Sequence, residues 1–344
     1  MMAAYLLRRL NLFVATSLLL IGVLFYATSL FPVDRIYALT GIQAPSDTQE
    51  AQIIADYHLD GGSLAQFMGY LTQRLSGDLG ISVTSQRPVA EELLAVLPAS
   101  FELATVSGLF AIIFGVPLGV LASLSKQKLT QNAIMAVTLT GYSIPVFWLG
   151  LSLSLWFGVR LGWLPISGQI NLLYEIKPVT GFMLIDTLLS DSQYRLSAFK
   201  DAALHIILPA LTLSVLPFTV VVRITRSAMM NVMNQTYIRA AEARGLPTSK
   251  IVLRHALPNA LIPLLKHLGL MLGPFASYAI VVEVIFSWPG VGSWLVSGIY
   301  QRDYTVIQGG TLAVALLIIF LSILIEVLHT ATNPLSRKEL YASN

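Results

Sequence analysis

The chain has 344 residues, of which 55% are hydrophobic and only 11% charged, and its mean hydropathy is +0.72. Soluble domains carry about a quarter charged residues, so this composition excludes a soluble globular class and predicts a membrane protein. A net charge of +3 is too small to argue for nucleic acid as a partner, and the lack of cysteine excludes disulfides and thiolate metal sites.

Residues 1–9 carry Arg8 and Arg9 just ahead of an apolar run at 10–31. About 20 apolar residues cross the roughly 30 Å of hydrocarbon, so 10–31 is predicted as a first span. A cleaved signal peptide is the alternative, but the apolar part is long for one and no small-residue cleavage site follows. Residues 32–100 are acidic and too polar to enter lipid. Within them Gly77 and Gly80 predict turns, and Val89–Leu97 a short helix.

A second span follows at 101–124. It holds Gly115 and Gly119 four apart around Pro117, a spacing that lets helices approach closely. A third, at 133–157, contains Pro145, which can kink a span and leave backbone groups to line a cavity. Residues 158–204 form a second polar excursion with Glu175, Asp186, Asp191 and Asp201. The fourth predicted span, 205–222, is short, interrupted by Pro209 and Pro217, and closed by Arg223 and Arg226. The fifth, 263–286, repeats the small-residue spacing at Gly269 and Gly273 and carries Glu283 near its far end. An external loop at 287–305 places tryptophans at the interface. A sixth span at 306–328 and a tail at 329–344 with Arg337 and Lys338 complete the chain.

Between the fourth and fifth spans, residues 223–262 are polar and basic. Arg239, Arg244, Lys250 and Arg254 face one acid, Glu242. Tyr237–Arg244 is predicted as helix, Gly245 as its stop and Pro247 as the residue that forbids continuation, with a second helix from about Thr248. Alone, this is also what a solvated basic loop looks like.

Six spans put both ends of the chain on one side. That side carries 13 of the 21 Lys and Arg but only 3 of the 18 Asp and Glu, so it is predicted to be cytoplasmic, with the 32–100 and 158–204 excursions outside. No phosphate-binding loop, no H-E-x-x-H and no G-x-S-x-G occurs, and the five histidines are dispersed. No catalytic or metal-binding residue is therefore expected. The ionisable groups near span ends are Glu102, Lys266, His267, Glu283, Glu326 and His329. Interfacial anchoring accounts for most of them, and Glu283 is the candidate to face a cationic solute.

The stretches Y-I-R-A-A-E-A-R-G and R-H-A-L-P-N-A-L-I-P resemble the EAA loop of ABC-importer permeases. Ala240, Ala241, Gly245, Leu257 and Pro258 fall at that pattern's spacing, while Arg239 replaces its Glu and His255 its Ile. G-D-L-G-I-S-V-T-S-Q-R-P-V (77–89), L-P-A-S-F-E-L-A (97–104), S-I-P-V-F-W-L-G-L (143–151), G-W-L-P-I-S-G (162–168) and F-S-W-P-G-V-G-S-W-L (286–295) are similar to the dipeptide/oligopeptide branch. The 169–197 loop and N-P-L-S-R-K-E-L-Y-A (333–342) resemble its Sap sub-branch.

The resemblance implies an all-α membrane protein of six transmembrane helices with the type I ABC-importer permease fold, its core at about 97–330, in a bacterial inner membrane. It implies a second homologous permease subunit, two ABC ATPase subunits that hold the ATP and Mg, an external solute-binding protein, surrounding lipid, and no cofactor on this chain. Tyr237, Arg239, Ala240, Ala241, Arg244, Gly245, Leu257 and Pro258 would couple to the ATPases. Pro145 and Glu283 are the translocation-path candidates. The implied solute is a peptide, and for the Sap sub-branch a cationic antimicrobial peptide, with polyamines as rival. A nucleotide-independent secondary transporter is the alternative class, though no internal repeat or mid-span charge supports it. A membrane-embedded enzyme lacks a catalytic cluster.

Overall fold

The computed structural model describes residues 2–28 and 34–332. Residues 29–31 of the first predicted span, and the tail from 333 with Arg337, Lys338 and the Sap-like segment, lie outside the described residues. Among those described, helices supply all the regular structure apart from one antiparallel bridge between Ile81 and Pro88.

In chain order the helices are α1 (Met2–Thr28), α2 (Arg35–Thr40), α3 (Asp47–Asp56), α4 (Ser63–Leu75), α5 (Val89–Leu124), α6 (Lys128–Ser143) and α7 (Val146–Leu153). There follow α8 (Met183–Leu189), α9 (Arg195–Met233), α10 (Thr236–Ala243), α11 (Thr248–Lys250), α12 (Leu257–Ile285), α13 (Val291–Gln301) and α14 (Thr311–Thr332). Three π-helical turns, at Ser154–Arg160, Ile251–Ala256 and Val306–Gly310, extend α7, lead into α12 and lead into α14. Among the described residues, five helical stretches are long and apolar enough to cross a membrane. They become six when α6 and the α7 stretch, bent by 101° at Ile144–Pro145, count as one span. Large exposed side chains such as Leu19, Ile113 and Leu270 on these helices suit lipid and not water.

Two helices run beyond the predicted spans. The predicted short helix at Val89–Leu97 and the second span are one helix, α5, of 36 residues that runs through Pro98 and Pro117. The fourth span is the middle of α9, which has 39 residues and keeps Pro209 and Pro217 in its interior. In both cases charge or proline ends the apolar stretch without ending the helix.

The chain divides into two compact units, residues 2–98 with 289–320 and residues 99–288 with 321–332. In the first, Ile21, Leu39, Ile53, Tyr57, Tyr70 and Leu312 make the core. Asp34 caps α2 by accepting from the amides of Ile36 and Tyr37, and Ser46 with Gln49 forms a capping box on α3. Gly41 closes α2 at φ +76°, where any Cβ would collide with the Ile81 carbonyl oxygen. Arg74 is buried over the Tyr70 ring, 4.6 Å from its centroid, and donates to the carbonyls of Asp78 and Leu39 at 2.6 and 3.1 Å. Burial pushes the neighbouring Tyr57 phenol up to about 12, against the pull of the Arg74 charge. In the second unit Leu103, Ile206, Leu208, Leu213, Val282 and Phe286 form the main core. Trp288 completes it, its indole N–H donating to the Ala99 carbonyl at 2.9 Å.

Candidate functional site

The basic stretch folds as a compact block on the end of α9. After Met233 the backbone turns through Asn234 and the extended Gln235 into α10. Ile238 and Ala241, three apart on one face, turn inward against Met229, Ile251, Val252, Ala256 and Ala260. That leaves Tyr237, Arg239, Ala240, Glu242 and Arg244 exposed on the outer surface. The helix ends in a Schellman motif. The amide of Gly245 donates to the Glu242 carbonyl at 2.9 Å and that of Leu246 to Ala241 at 3.3 Å, with Gly245 at φ +73°. Leu246 packs beside the same small core. Pro247, extended, starts α11 and the π turn 251–256 carries the chain into α12, with Pro258 in its first turn. Asn259 donates to the Tyr237 hydroxyl at 3.0 Å and to the His255 carbonyl at 3.0 Å, tying α10 to the start of α12.

The eight coupling candidates thus share one block. Ala241 is inside it, Leu257 is half-buried against it, and the other six are exposed. Chemically the block can present a short, rigid, basic helix to a partner. It holds no nucleophile or acid–base pair, and no group of three His, Asp or Glu able to hold a metal occurs among the described residues.

Pro145 sits at the 101° bend and begins α7. The crevice beside it is lined by Tyr142, Ile144, Val146, Thr212, Leu216 and Tyr278, which come from α6, α7, α9 and α12 and from the bend itself. Glu283 is not near open space. It is 1% exposed, and its carboxylate accepts the hydroxyl of Ser100 on a neighbouring helix at 2.6 Å. A carboxylate taken out of water needs such a donor, which is why packing claims it. Of the four glycines, Gly115 and Gly119 lie where a Cβ would press within 2.8 Å of Val221 and 2.7 Å of Thr225, and Gly269 within 3.1 Å of Ile325. Gly273, expected at a packing contact, has nothing within 4 Å of its Cβ position.

Other carboxylates acquire partners that no local pattern announces. Glu102, 5% exposed, accepts the first amides of α8, from Met183 and Leu184, at 3.2 and 2.8 Å. Asp186 in α8 takes four hydrogen bonds, from the amides of Val179, Thr180 and Gly181 and from the Thr180 hydroxyl. Burial alone would raise this carboxyl, but those donors together hold it below its ordinary value. A group depressed in the folded state stabilises above its unfolded pKa and loses that contribution as pH falls through the folded value. Limited proteolysis of the 179–186 loop is therefore expected to be flat from about pH 7 to 5 and to accelerate below about pH 4. Asp186→Asn should be cleaved quickly at every pH, and a flat profile throughout would remove Asp186 as the loop's anchor.

Residues 115–338 match the family described as the binding-protein-dependent transport system inner membrane component. The di/tripeptide transport system permease protein DppB of Pseudomonas aeruginosa (strain UCBPP-PA14) is 41% identical over 338 residues, which is 98% of this chain and 100% of that protein. SapB of Escherichia coli (strain K12), called a putrescine export system permease protein, is 44% identical over 265 residues, 77% of this chain and 83% of its own. A chain of the MetNI methionine ABC transporter, solved in inward facing conformations, superposes with a TM-score of 0.52 at 18% identity, covering 70% of this chain and 96% of that one. That likeness speaks to the fold, an all-helical type I permease. The chain belongs to the binding-protein-dependent transport system inner membrane components, the multi-pass permeases of ABC transporters.

Proposed function

We propose that this chain is the permease subunit of an ATP-driven importer of peptides and works by alternating access. The observation that carries the reading is the α10 block. Ile238 and Ala241 lock a helix of eight residues to the end of α9, while Tyr237, Arg239, Ala240 and Arg244 stay outward and a glycine turn keeps the exit of the helix open. Such a block passes a push from a partner into the spanning helices. The partners are two ABC ATPases, which hold ATP and Mg, a second homologous permease and an external solute-binding protein. Both ends of the chain lie in the cytoplasm, where the basic residues concentrate. ATP binding closes the ATPase pair, α10 moves with it and the path opens outward; hydrolysis resets it. Peptide as solute is supported by the name of the P. aeruginosa relative. A polyamine is the second reading, supported by the name of the E. coli K12 relative.

The test is purification of the tagged chain from its native membrane in mild detergent, with identification of every co-purifying protein. A P-loop ATPase together with a second six-span protein is expected. A chain that purifies alone and still carries solute across vesicles without nucleotide would replace this reading with a secondary transporter.

A further inference from the structure

The outer surfaces of α3 and α4 differ in kind, although both helices pack in the unit formed by residues 2–98 and 289–320. The exposed side of α3 carries Asp47, Glu50, Gln52 and Asp56 and suits water. On α4, Leu64, Met68 and Leu75 are 75%, 50% and 73% exposed. They recur at helical spacing and line one stripe of the helix. Beside the stripe, Phe67 and Leu71 continue the apolar surface inward, onto the core that includes Ile21 and Tyr70.

The polar side chains of α4 withdraw from this surface. Gln66 donates to the carbonyls of Leu59 and Gly61 at 2.9 and 3.0 Å. Arg74, the one charged residue of α4, is buried over the Tyr70 ring. Thr72, at the edge of the stripe, gives its hydroxyl proton to the Met68 carbonyl of its own helix at 2.8 Å.

The depth at which α4 is held decides what covers the stripe. The Phe25 ring meets those of Phe67 and Tyr70, with centroids 5.6 Å apart in each pair. A Cβ on Gly22 would touch the Phe67 ring at 4.0 Å. Phe25 and Gly22 precede Thr28, the end of the span Tyr5–Thr28, and so lie about 5 and 9 Å inside it at about 1.5 Å per residue. A second helix repeats the measurement. Leu312 belongs to the same core and Leu316 packs against it. Within the span Val306–Ala331 they lie about 9 and 15 Å from its start. Two spans therefore hold α4 at the level of the hydrocarbon, where an uncharged apolar stripe meets acyl chains and not water.

We propose that α4 is a membrane-interface helix whose Leu64, Met68 and Leu75 lie among the acyl chains of the outer leaflet. The excursion between the first two spans is thereby fastened to the bilayer beside α1, with the acidic surface of α3 left in water. The proposal rests on the transport reading in one respect, the orientation that makes this leaflet the outer one.

The chain has no cysteine, so single cysteines report on single positions. Leu64→Cys, Met68→Cys and Leu75→Cys, with Gln52→Cys on α3 as the water-facing reference, each take a nitroxide label in the full chain. The labelled chains are placed in nanodiscs of phosphatidylethanolamine and phosphatidylglycerol. Power saturation then reads collisions with oxygen, which concentrates in acyl chains, and with a water-soluble nickel chelate. At the three α4 positions the ratio of oxygen to nickel collisions should exceed that at Gln52→Cys by roughly ten-fold. All four positions are exposed, and a wild-type midpoint of thermal unfolding in each variant shows that the core is kept. Nickel collisions at the α4 positions equal to those at Gln52→Cys overturn the proposal. A label that neither reagent reaches in the assembled transporter also overturns it, because protein then covers the stripe. A membrane-impermeant maleimide applied to right-side-out vesicles separates the two readings. If Gln52→Cys reacts from outside while the α4 labels meet nickel, the α4 assignment falls and the orientation stands. If Gln52→Cys reacts only after permeabilisation while the α4 labels meet oxygen, the helix is in the inner leaflet and the orientation falls.

Discussion

Gly245→Val should insert into the membrane at the normal level and lose at least about ten-fold in ATP-coupled uptake. Gly245 holds φ +73° at the end of α10, and the two Schellman hydrogen bonds depend on that angle. A residue with a Cβ costs about 1–2 kcal/mol in this region, a factor of roughly five to thirty in the population of the turn, and a β-branched one more. Space is not the constraint within the chain, because no atom lies within 4 Å of the Cβ position. Gly245→Asn therefore makes the informative partner, since asparagine tolerates the left-handed conformation. If asparagine restores most of the uptake, the glycine serves the turn. If asparagine fails as fully as valine, the open space is occupied by a partner subunit and the glycine serves contact. Proteoliposomes containing the assembled transporter give the uptake, an immunoblot gives insertion, and normal uptake by the valine variant would take this turn out of the coupling mechanism.

Asp303→Ala should be the most destabilising single change outside the apolar core, at about 3 kcal/mol or more. Its carboxylate is 1% exposed. It accepts the Ser82 hydroxyl at 2.8 Å, the Thr84 amide at 3.1 Å and the Val306 amide at 3.2 Å. The Thr305 hydroxyl lies 2.9 Å away and shares its one proton with the Ile81 carbonyl. Alanine would strand the buried donors of Ser82 and Val306, and each stranded donor costs about 1–3 kcal/mol. Asp303→Asn retains one oxygen and should fall between. Thermal unfolding in detergent reads both, and an unchanged midpoint for the alanine variant would mean that water enters and satisfies the donors.

The difference between what pattern reveals and what it hides is visible in these two residues. Gly245 and Pro247 punctuate a polar stretch, and backbone stereochemistry is local, so their role could be read without coordinates. Asp303 finds Ser82 at a separation of 221 residues and Glu92 finds Trp294 at 202, and no periodicity encodes such pairs. The helices outrun the predicted spans for a different reason. Hydropathy reports which solvent a segment meets, whereas α5 continues past Pro98 and α9 past Arg223 because helix length is set by backbone hydrogen bonds and tertiary packing. A charge near a span end such as Glu283 is costly, and the Ser100 hydroxyl, 183 residues away in sequence, offsets part of that cost.

The length of α9 has a mechanical consequence. Its 39 residues rise about 58 Å, nearly twice the roughly 30 Å hydrocarbon layer. One end, at Ala228 and Met229, is seated on the block that contains α10. A rod of this length works as a lever, since a tilt of about 5° at the seated end carries the other end by roughly 5 Å. A small rotation of α10 would thereby become a displacement about as wide as an amino-acid side chain on the opposite side of the bilayer. Pro209 and Pro217 lie along the arm, where each removes an internal hydrogen bond, and so mark where it can flex under load.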